Sequence, residues 1–148
     1  DVFKPHLEAG LAKSGRAWGA LEITPAVITG VYDDVDTIRQ MVKPYISLYV
    51  GGMGSRERNF YNQLVQRYGY VEEARRIQDL YLAGDRAGAA AIVPDALVDE
   101  TSAVGPVGRV REKLAELESV GVTMPVLGIM AFDQETRLKT LEALAPGI

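Results

Sequence analysis

The stretch Tyr49-Val50-Gly51-Gly52-Met53-Gly54-Ser55-Arg56 concentrates glycine in a way that could serve a ligand. Glycine admits left-handed backbone and leaves room for a ligand to lie against the main chain. A glycine-rich turn that opens a helix can also hold an anion on its free N–H groups. Neither phosphate-binding fingerprint is met: no Lys-Ser/Thr pair closes the stretch, and the glycine spacing is not that of a dinucleotide site. The segment reads as a structural turn or as a ligand-lining loop, with Ser55 capping the next helix. Asp33, Asp34 and Asp36 are a second concentration of chemistry. Three carboxylates could bind a hard cation, which would want further oxygen ligands at loop spacing. Acids also gather in the first turn of a helix because the helix dipole favours them there, and that is the reading adopted. His6 is the sole histidine and cysteine is absent, which excludes disulfides, zinc–thiolate centres, thiol nucleophiles and multi-histidine metal sites. His6 itself reads as a surface or cap position.

These residues need elements to hold them. Phe3, Leu7 and Leu11 repeat at helical spacing, with Pro5 in the first turn and Gly15 after the last. Ala20 to Val31 is rich in β-branched residues and reads as a strand, with Pro25 discordant because proline cannot donate to a ladder. Asp33–Asp36 then cap a helix with Val35, Ile38, Met41, Val42, Tyr45, Ile46 and Tyr49 on its apolar stripe, which Pro44 should kink or end. Helices follow with Phe60, Leu64, Val65 and Tyr68 inward, over Val71 to Leu82, over Ala87 to Val93 behind Asp85, and over Asp95 to Val98 behind Pro94. Asp99-Glu100-Thr101-Ser102 reads as a polar connection. Val107, Val110, Leu114, Leu117 and Val120 mark the clearest amphipathic helix, stopped by Gly121. Val122 to Ala131 is nearly all apolar and reads as a strand buried on both faces. Asp133 caps a last helix carrying Leu138, Leu141 and Leu144, ended by Pro146-Gly147.

Helix–strand–helices–strand–helix is the grammar of parallel α/β units. Two parallel strands do not make a stable sheet, and their outer edges would present unpaired N–H and C=O groups. A partner chain, a second copy or a longer polypeptide must supply the rest. The chain has 148 residues, 47% of them apolar and 24% charged, as in ordinary globular domains. Its 16 basic and 20 acidic residues leave a net charge of −4. That charge lacks the basic footprint of a nucleic-acid binder. No apolar run approaches the ~20 residues that span a bilayer. Neither nucleic acid nor membrane is therefore an expected partner, and with no leader pattern near Asp1 the expected location is cytoplasmic.

An ordered series of short motifs runs through most of the chain, from about Phe3 to Ala131. It comprises Tyr49-Val50-Gly51-Gly52-Met53-Gly54-Ser55, Asn59-Phe60-Tyr61, Gly69-Tyr70, Glu73-Ala74, Asp79 to Gly84, Ala89 to Pro94, Leu97-Val98-Asp99, Gly105-Pro106 and Gly121-Val122-Thr123. Together these resemble the C-terminal half of the luciferase-like flavin and deazaflavin oxidoreductases, most of all the branch that uses coenzyme F420 and includes methylenetetrahydromethanopterin reductase-like proteins. Asp99…Gly105-Pro106…Gly121-Val122-Thr123, leading into a final strand, is the most specific part.

The resemblance implies an α/β protein, the C-terminal portion of a (β/α)8 TIM barrel. Leu21–Val31 would be its seventh strand and Met124–Met130 its eighth. The chain would be one partial domain, 1–148, with a helical insertion over about 34–99. It implies hydride transfer between a deazaflavin (F420, with FMN as alternative) and an organic substrate. Neither cofactor is expected to be held by this chain alone. Missing barrel strands, or a second chain, become the expected partner, with a homo-oligomer as the expected state. Barrel chemistry gathers at the C-terminal ends of strands. The positions carried over as wall or lid candidates are therefore Thr29, Gly30, Gly128 and Ile129, together with Tyr49, Gly51, Gly52, Met53 and Gly54. Tyr49, Tyr61 and Asp99 are the best polar candidates, but none stands out as acid or base, and no metal ligand is assigned. Two alternatives stay open: a non-catalytic helical interaction module, and a small enzyme using the three aspartates with a metal.

Overall fold

The computed structural model describes residues 3–145. Helix α1 (Lys4–Ser14) carries Pro5 in its first turn and is stopped by Gly15, whose left-handed backbone lets the Arg16 N–H reach the Leu11 carbonyl. A 3-10 turn (Trp18–Ala20) leads to β1 (Ala26–Val31). Then follow α2 (Val35–Ser47), a π-helical turn (Leu48–Gly52), α3 (Phe60–Arg67), α4 (Val71–Leu82), α5 (Arg86–Ala91) and α6 (Asp95–Thr101). The chain returns to β2 (Ser102–Gly105), α7 (Val107–Ser119), β3 (Val126–Ile129) and α8 (Gln134–Leu144).

The sheet has three parallel strands in the order β2-β1-β3, so β1 is central, with Ile28 in register with both Ser102 and Gly128. The expectation of two strands is thus corrected to three. The extra strand lies at the end of what reads in sequence as a polar connection. Asp99–Thr101 extend α6, and Ser102 begins β2, its hydroxyl turned back to donate to the Val98 carbonyl. All four β2 residues are buried, because α2, α6 and α7 cover them. Four residues are too few to display a period.

Other boundaries shift for local reasons. β1 begins at Ala26 rather than Leu21, immediately after Pro25, which supplies no ladder donor but accepts from the Val126 N–H through its carbonyl. The lead-in still pairs loosely, with Ile23 exchanging hydrogen bonds with Thr123. Pro44 does not end α2. The helix runs three residues further and continues as the π turn, in which wider i→i+5 bonding takes over. Asn59, not Ser55, caps α3, accepting from the Asn62 N–H. β3 spans less than Met124–Met130 and is not buried on both faces: Val126 is 54% exposed and its neighbours are partly open. Gly121 does stop α7, with the paired bonds Gly121 N–H to Glu118 and Val122 N–H to Leu117. Pro146-Gly147 lie outside the described residues.

The pleat divides the core in two. Val27 and Val31 of β1 and Ala103 of β2 pack against Val110, Leu114 and Leu117 of α7 and Leu144 of α8. Ile28 of β1 and Val104 of β2 face the other way, onto a larger core built by Ile38, Val42, Ile46, Ile77, Leu97 and Val98 of the α2–α6 helices. The sheet is therefore a middle layer, with α7 and α8 on one side and the α2–α6 unit on the other. Among the described residues no helix is long and apolar enough to cross a membrane.

Candidate functional site

The helix that follows β1 packs on one face of the sheet, and those that follow β2 and β3 pack on the other. Where neighbouring parallel strands send their helices to opposite faces, a crevice opens beyond their carboxyl ends. Such a crevice lies between the ends of β1 and β3. It is a cleft of about 720 Å³ walled by Met41 and Pro44 of α2 and by Ile129, Met130, Ala131 and Phe132 leaving β3. Asp34, Asp36, Thr37 and Gln40 supply its polar rim. Phe132 is 81% exposed at the lip.

Each rim group has a local reason for its position. Asp34 is the N-cap of α2: one carboxylate oxygen accepts from the Asp36 and Thr37 N–H groups, and the other accepts from the Thr37 hydroxyl at 2.7 Å. The Thr37 hydroxyl first, then these two N–H groups, hold the Asp34 carboxyl below the usual carboxylate range, so it is ionised at neutral pH. Asp36 pairs with Arg39 at 3.0 Å. Among the described residues no Lys or Arg side chain lines the cleft. Tyr32, which leaves β1 beside it, has its hydroxyl pKa raised by burial and then by the charge of Asp133, so it stays protonated. Among the described residues no three His, Asp or Glu side chains converge as metal ligands.

The sequence candidates do not gather here. Ile129 lines the cleft. Thr29 is fully buried, and its hydroxyl donates to the Val27 carbonyl of its own strand at 3.0 Å. Gly30 faces α2, where a Cβ would stand 3.0 Å from Ile38 Cδ1 and 3.2 Å from the Met130 carbonyl oxygen. Tyr49 and Gly128 instead line a second cavity of about 420 Å³, beside Ala26–Ile28 at the first half of β1. There Tyr49 packs edge-on to Tyr61 at 4.7 Å and shares a 3.1 Å hydroxyl–hydroxyl hydrogen bond with Tyr45. His6 is exposed on α1.

At the glycine-rich segment, Tyr81 of α4 lies directly on Gly51 and Gly52. A Cβ on Gly51 or Gly52 would fall 2.4 Å from atoms of Tyr81, so this α4 side chain packs directly on the backbone there. Gly54 has φ +147° and its absent Cβ avoids the Arg58 carbonyl. Met53 is half exposed. This gives a direct prediction. Gly52→Ala is expected to destabilise the chain by about 1–3 kcal/mol through overpacking. In a Tyr81→Ala background, where the clashing ring atoms are gone, the same substitution should cost less than about 0.5 kcal/mol. Urea melts of the four proteins measure both.

Asp99 joins three elements. Arg39 of α2 reaches both its carboxylate oxygens, Nε at 3.1 Å and Nη2 at 2.6 Å, and Arg109 of α7 approaches Oδ1 at 2.7 Å. Burial pushes the Asp99 carboxyl up, and the hydrogen bonds and charges of the two guanidiniums more than reverse that, leaving it below the usual range. Asp99 is thus a structural junction that ties α6 to α2 and α7.

Thr37, Gln40, Met41, Met130 and Phe132 were not legible as site residues. The available signal was positional: they lie on the first turns after β1 and on the residues leaving β3, where α/β chemistry collects.

Parallel strands joined by crossover helices, with sheet edges open among the described residues and a cleft at the strands' carboxyl ends, fit part of a TIM-barrel-like fold. The chain belongs to the luciferase-like monooxygenase family, whose model matches residues 2–124. It is 33% identical over 142 residues to a Mycobacterium tuberculosis protein assigned by name to the coenzyme F420-dependent oxidoreductases, covering 95% of this chain and 41% of that protein. It is 28% identical over 133 residues to the 5,10-methylenetetrahydromethanopterin reductase of Archaeoglobus fulgidus, covering 86% of this chain and 38% of that protein. The solved coenzyme F420-dependent tetrahydromethanopterin reductase of Methanopyrus kandleri superposes with a TM-score of 0.75 at 22% identity, over 93% of this chain and 38% of that one. The chain therefore spans about two fifths of the length of these relatives.

Proposed function

We propose that this chain is the C-terminal part of an F420-dependent oxidoreductase that moves a hydride between a deazaflavin and an organic substrate. In this reading it is one partial domain, 1–148, carrying a helical insertion over about 34–99, and it is inactive by itself. The observation that carries the reading is the cleft at the carboxyl ends of β1 and β3, together with a sheet that, among the described residues, stops at two unpaired edges, β2 and β3. A full barrel needs eight strands. The missing ones come from the preceding part of a longer polypeptide or from a second chain.

The cleft residues fit one part of such a cofactor. Met41, Pro44, Ile129, Met130 and Phe132 offer an apolar wall of the kind a flat ring packs against. They offer nothing to an anionic phosphate-bearing side chain, since no cation lines the cleft and Asp34 and Asp36 repel one. That anchor belongs to the rest of the barrel. The bound deazaflavin would supply the hydride chemistry, and this chain would position and exclude water.

The test is to titrate oxidised F420, and FMN in parallel, into this chain and into a form extended at its N-terminus, following binding by difference absorbance. The extended protein is expected to bind F420 and the 148-residue chain neither. An extended protein that is folded by circular dichroism and binds neither cofactor would refute the reading. Light scattering on the short chain should show self-association through its unpaired edges.

A further inference from the structure

Gly128 sits at the floor of the second cavity. It is in register with Ile28, so a side chain there would point the same way, onto the α2–α6 side of the sheet. Apart from its chain neighbours, a Cβ on Gly128 would meet a single atom within 4 Å, the Val27 carbonyl oxygen at 3.6 Å. At Gly30, Gly51 and Gly52 the corresponding space is taken by Ile38 and Tyr81. At Gly128 it opens into the cavity of about 420 Å³. Glycine inside a strand marks a bulge or a place where something approaches the backbone closely. The ladder to β1 runs through this residue without interruption, so there is no bulge.

The walls of the cavity are aromatic and uncharged. The Tyr49 ring is held between Tyr45, with centroids 4.8 Å apart, and Tyr61, edge-on at 4.7 Å. Tyr68, just past α3, and Leu97 of α6 also line it. Tyrosines offer large, rigid contact area at low conformational-entropy cost. Among the described residues no Asp, Glu, Lys, Arg or His lines the cavity, so a charged ligand would lose its hydration there without an opposite charge to meet. The Tyr45 and Tyr49 hydroxyls bond to each other at 3.1 Å and, among the described residues, to no other protein group. One O–H donates within that pair. The other is left to donate elsewhere, and lone pairs remain to accept.

We infer that this cavity, set away from the cleft toward the amino ends of the strands, binds a neutral one- or two-ring aromatic molecule that carries a hydroxyl or carbonyl group. The ring lies over Gly128 against the tyrosine wall, and its oxygen meets the Tyr45–Tyr49 hydroxyls. The site shares no lining residue with the cleft and does not depend on the cofactor reading.

2-Naphthol is the probe. Naphthalene, decahydro-2-naphthol and 2-naphthoate are its controls; they take away the hydroxyl, the aromaticity and the neutrality in turn. Binding is followed by the amide shifts of Ile28, Tyr49, Val50 and Gly128 in 15N-labelled protein. 2-Naphthol is expected to move these amides and to bind about five- to tenfold more tightly than each control. Gly128→Val places methyl groups where the ring would lie and should weaken binding at least about tenfold. Tyr45→Phe/Tyr49→Phe should bring 2-naphthol down to the level of naphthalene. Equal or tighter binding of any control by the unaltered chain overturns the inference. So do shifts that avoid these four amides, no shifts at all, or a Gly128→Val chain that is folded by circular dichroism and binds as before. The probe series on the unaltered chain decides the matter if a variant does not fold. The N-terminally extended protein should give the same shifts; loss of binding there would mean that the rest of the polypeptide fills the cavity, and would overturn the inference as well. F420 binding by the extended protein is a separate measurement, so either result can fail without the other.

Discussion

Ile38→Ala is expected to lower stability by about 3 kcal/mol, roughly 10 °C in the midpoint of thermal unfolding. Ile38 is completely buried on the inner face of α2, and it belongs to the larger core with Val42, Leu97 and Val104. Its Cδ1 occupies the space above Gly30 that a side chain there would need. Truncation removes three carbons of buried side chain and leaves a cavity between α2 and β1. The cost is the lost transfer energy plus that of the void. Because the gap opens over Gly30, the two positions are coupled. Gly30→Ala alone should destabilise by overpacking. In the Ile38→Ala background it should cost less, with the Met130 carbonyl as the remaining limit. Denaturant melts of the four proteins give the coupling. Additive effects, or an Ile38→Ala loss under about 1 kcal/mol, would mean that α2 does not sit on β1 as described.

Asp99→Ala should be the next most damaging change, at about 1–3 kcal/mol. It removes the carboxylate that Arg39, only 19% exposed, shares with Arg109, and leaves Arg39 its contact with the exposed Asp36. About a quarter of the Asp99 side chain remains wet, which places the effect below that of a fully buried pair. The same junction sets a pH dependence. The folded-state carboxyl sits below its unfolded value, so its contribution is fully present above about pH 4, the ordinary Asp range, and is lost as pH falls through the lower folded value. Asp99→Ala should therefore lose stability relative to the parent at pH 7, and the gap should narrow steadily below pH 4. A constant gap down to pH 2 would show that the loss is one of packing rather than charge.

How much of this was legible beforehand follows the range of the interactions involved. Helix boundaries were largely readable where a local device sets them. Asp34, Asp85 and Asp133 cap the helices that follow them, and Gly15 and Gly121 stop theirs, because capping is decided within four residues. The series Asp99…Gly105-Pro106…Gly121-Val122-Thr123 pointed to the family by type and order alone. What the glycine-rich segment packs against was not legible, because the atoms that lie on Gly51 and Gly52 belong to Tyr81, about thirty residues away in the chain. Composition at one place says that close approach is possible and leaves open what approaches.

By itself, then, the sequence determined an α/β chain with helices at stated positions, no thiol or multi-histidine chemistry, and membership in a family larger than the chain. Each of those depends on local propensity, on residue count or on motif order. Only the tertiary structure decided that Ser102–Gly105 is a strand, that β1 is central rather than at an edge, and that the cleft is formed by α2 and the end of β3. Those depend on which distant surfaces meet. A four-residue strand such as Ser102–Gly105 is stabilised by the neighbours that bury it, and nothing in its own sequence distinguishes it from a loop.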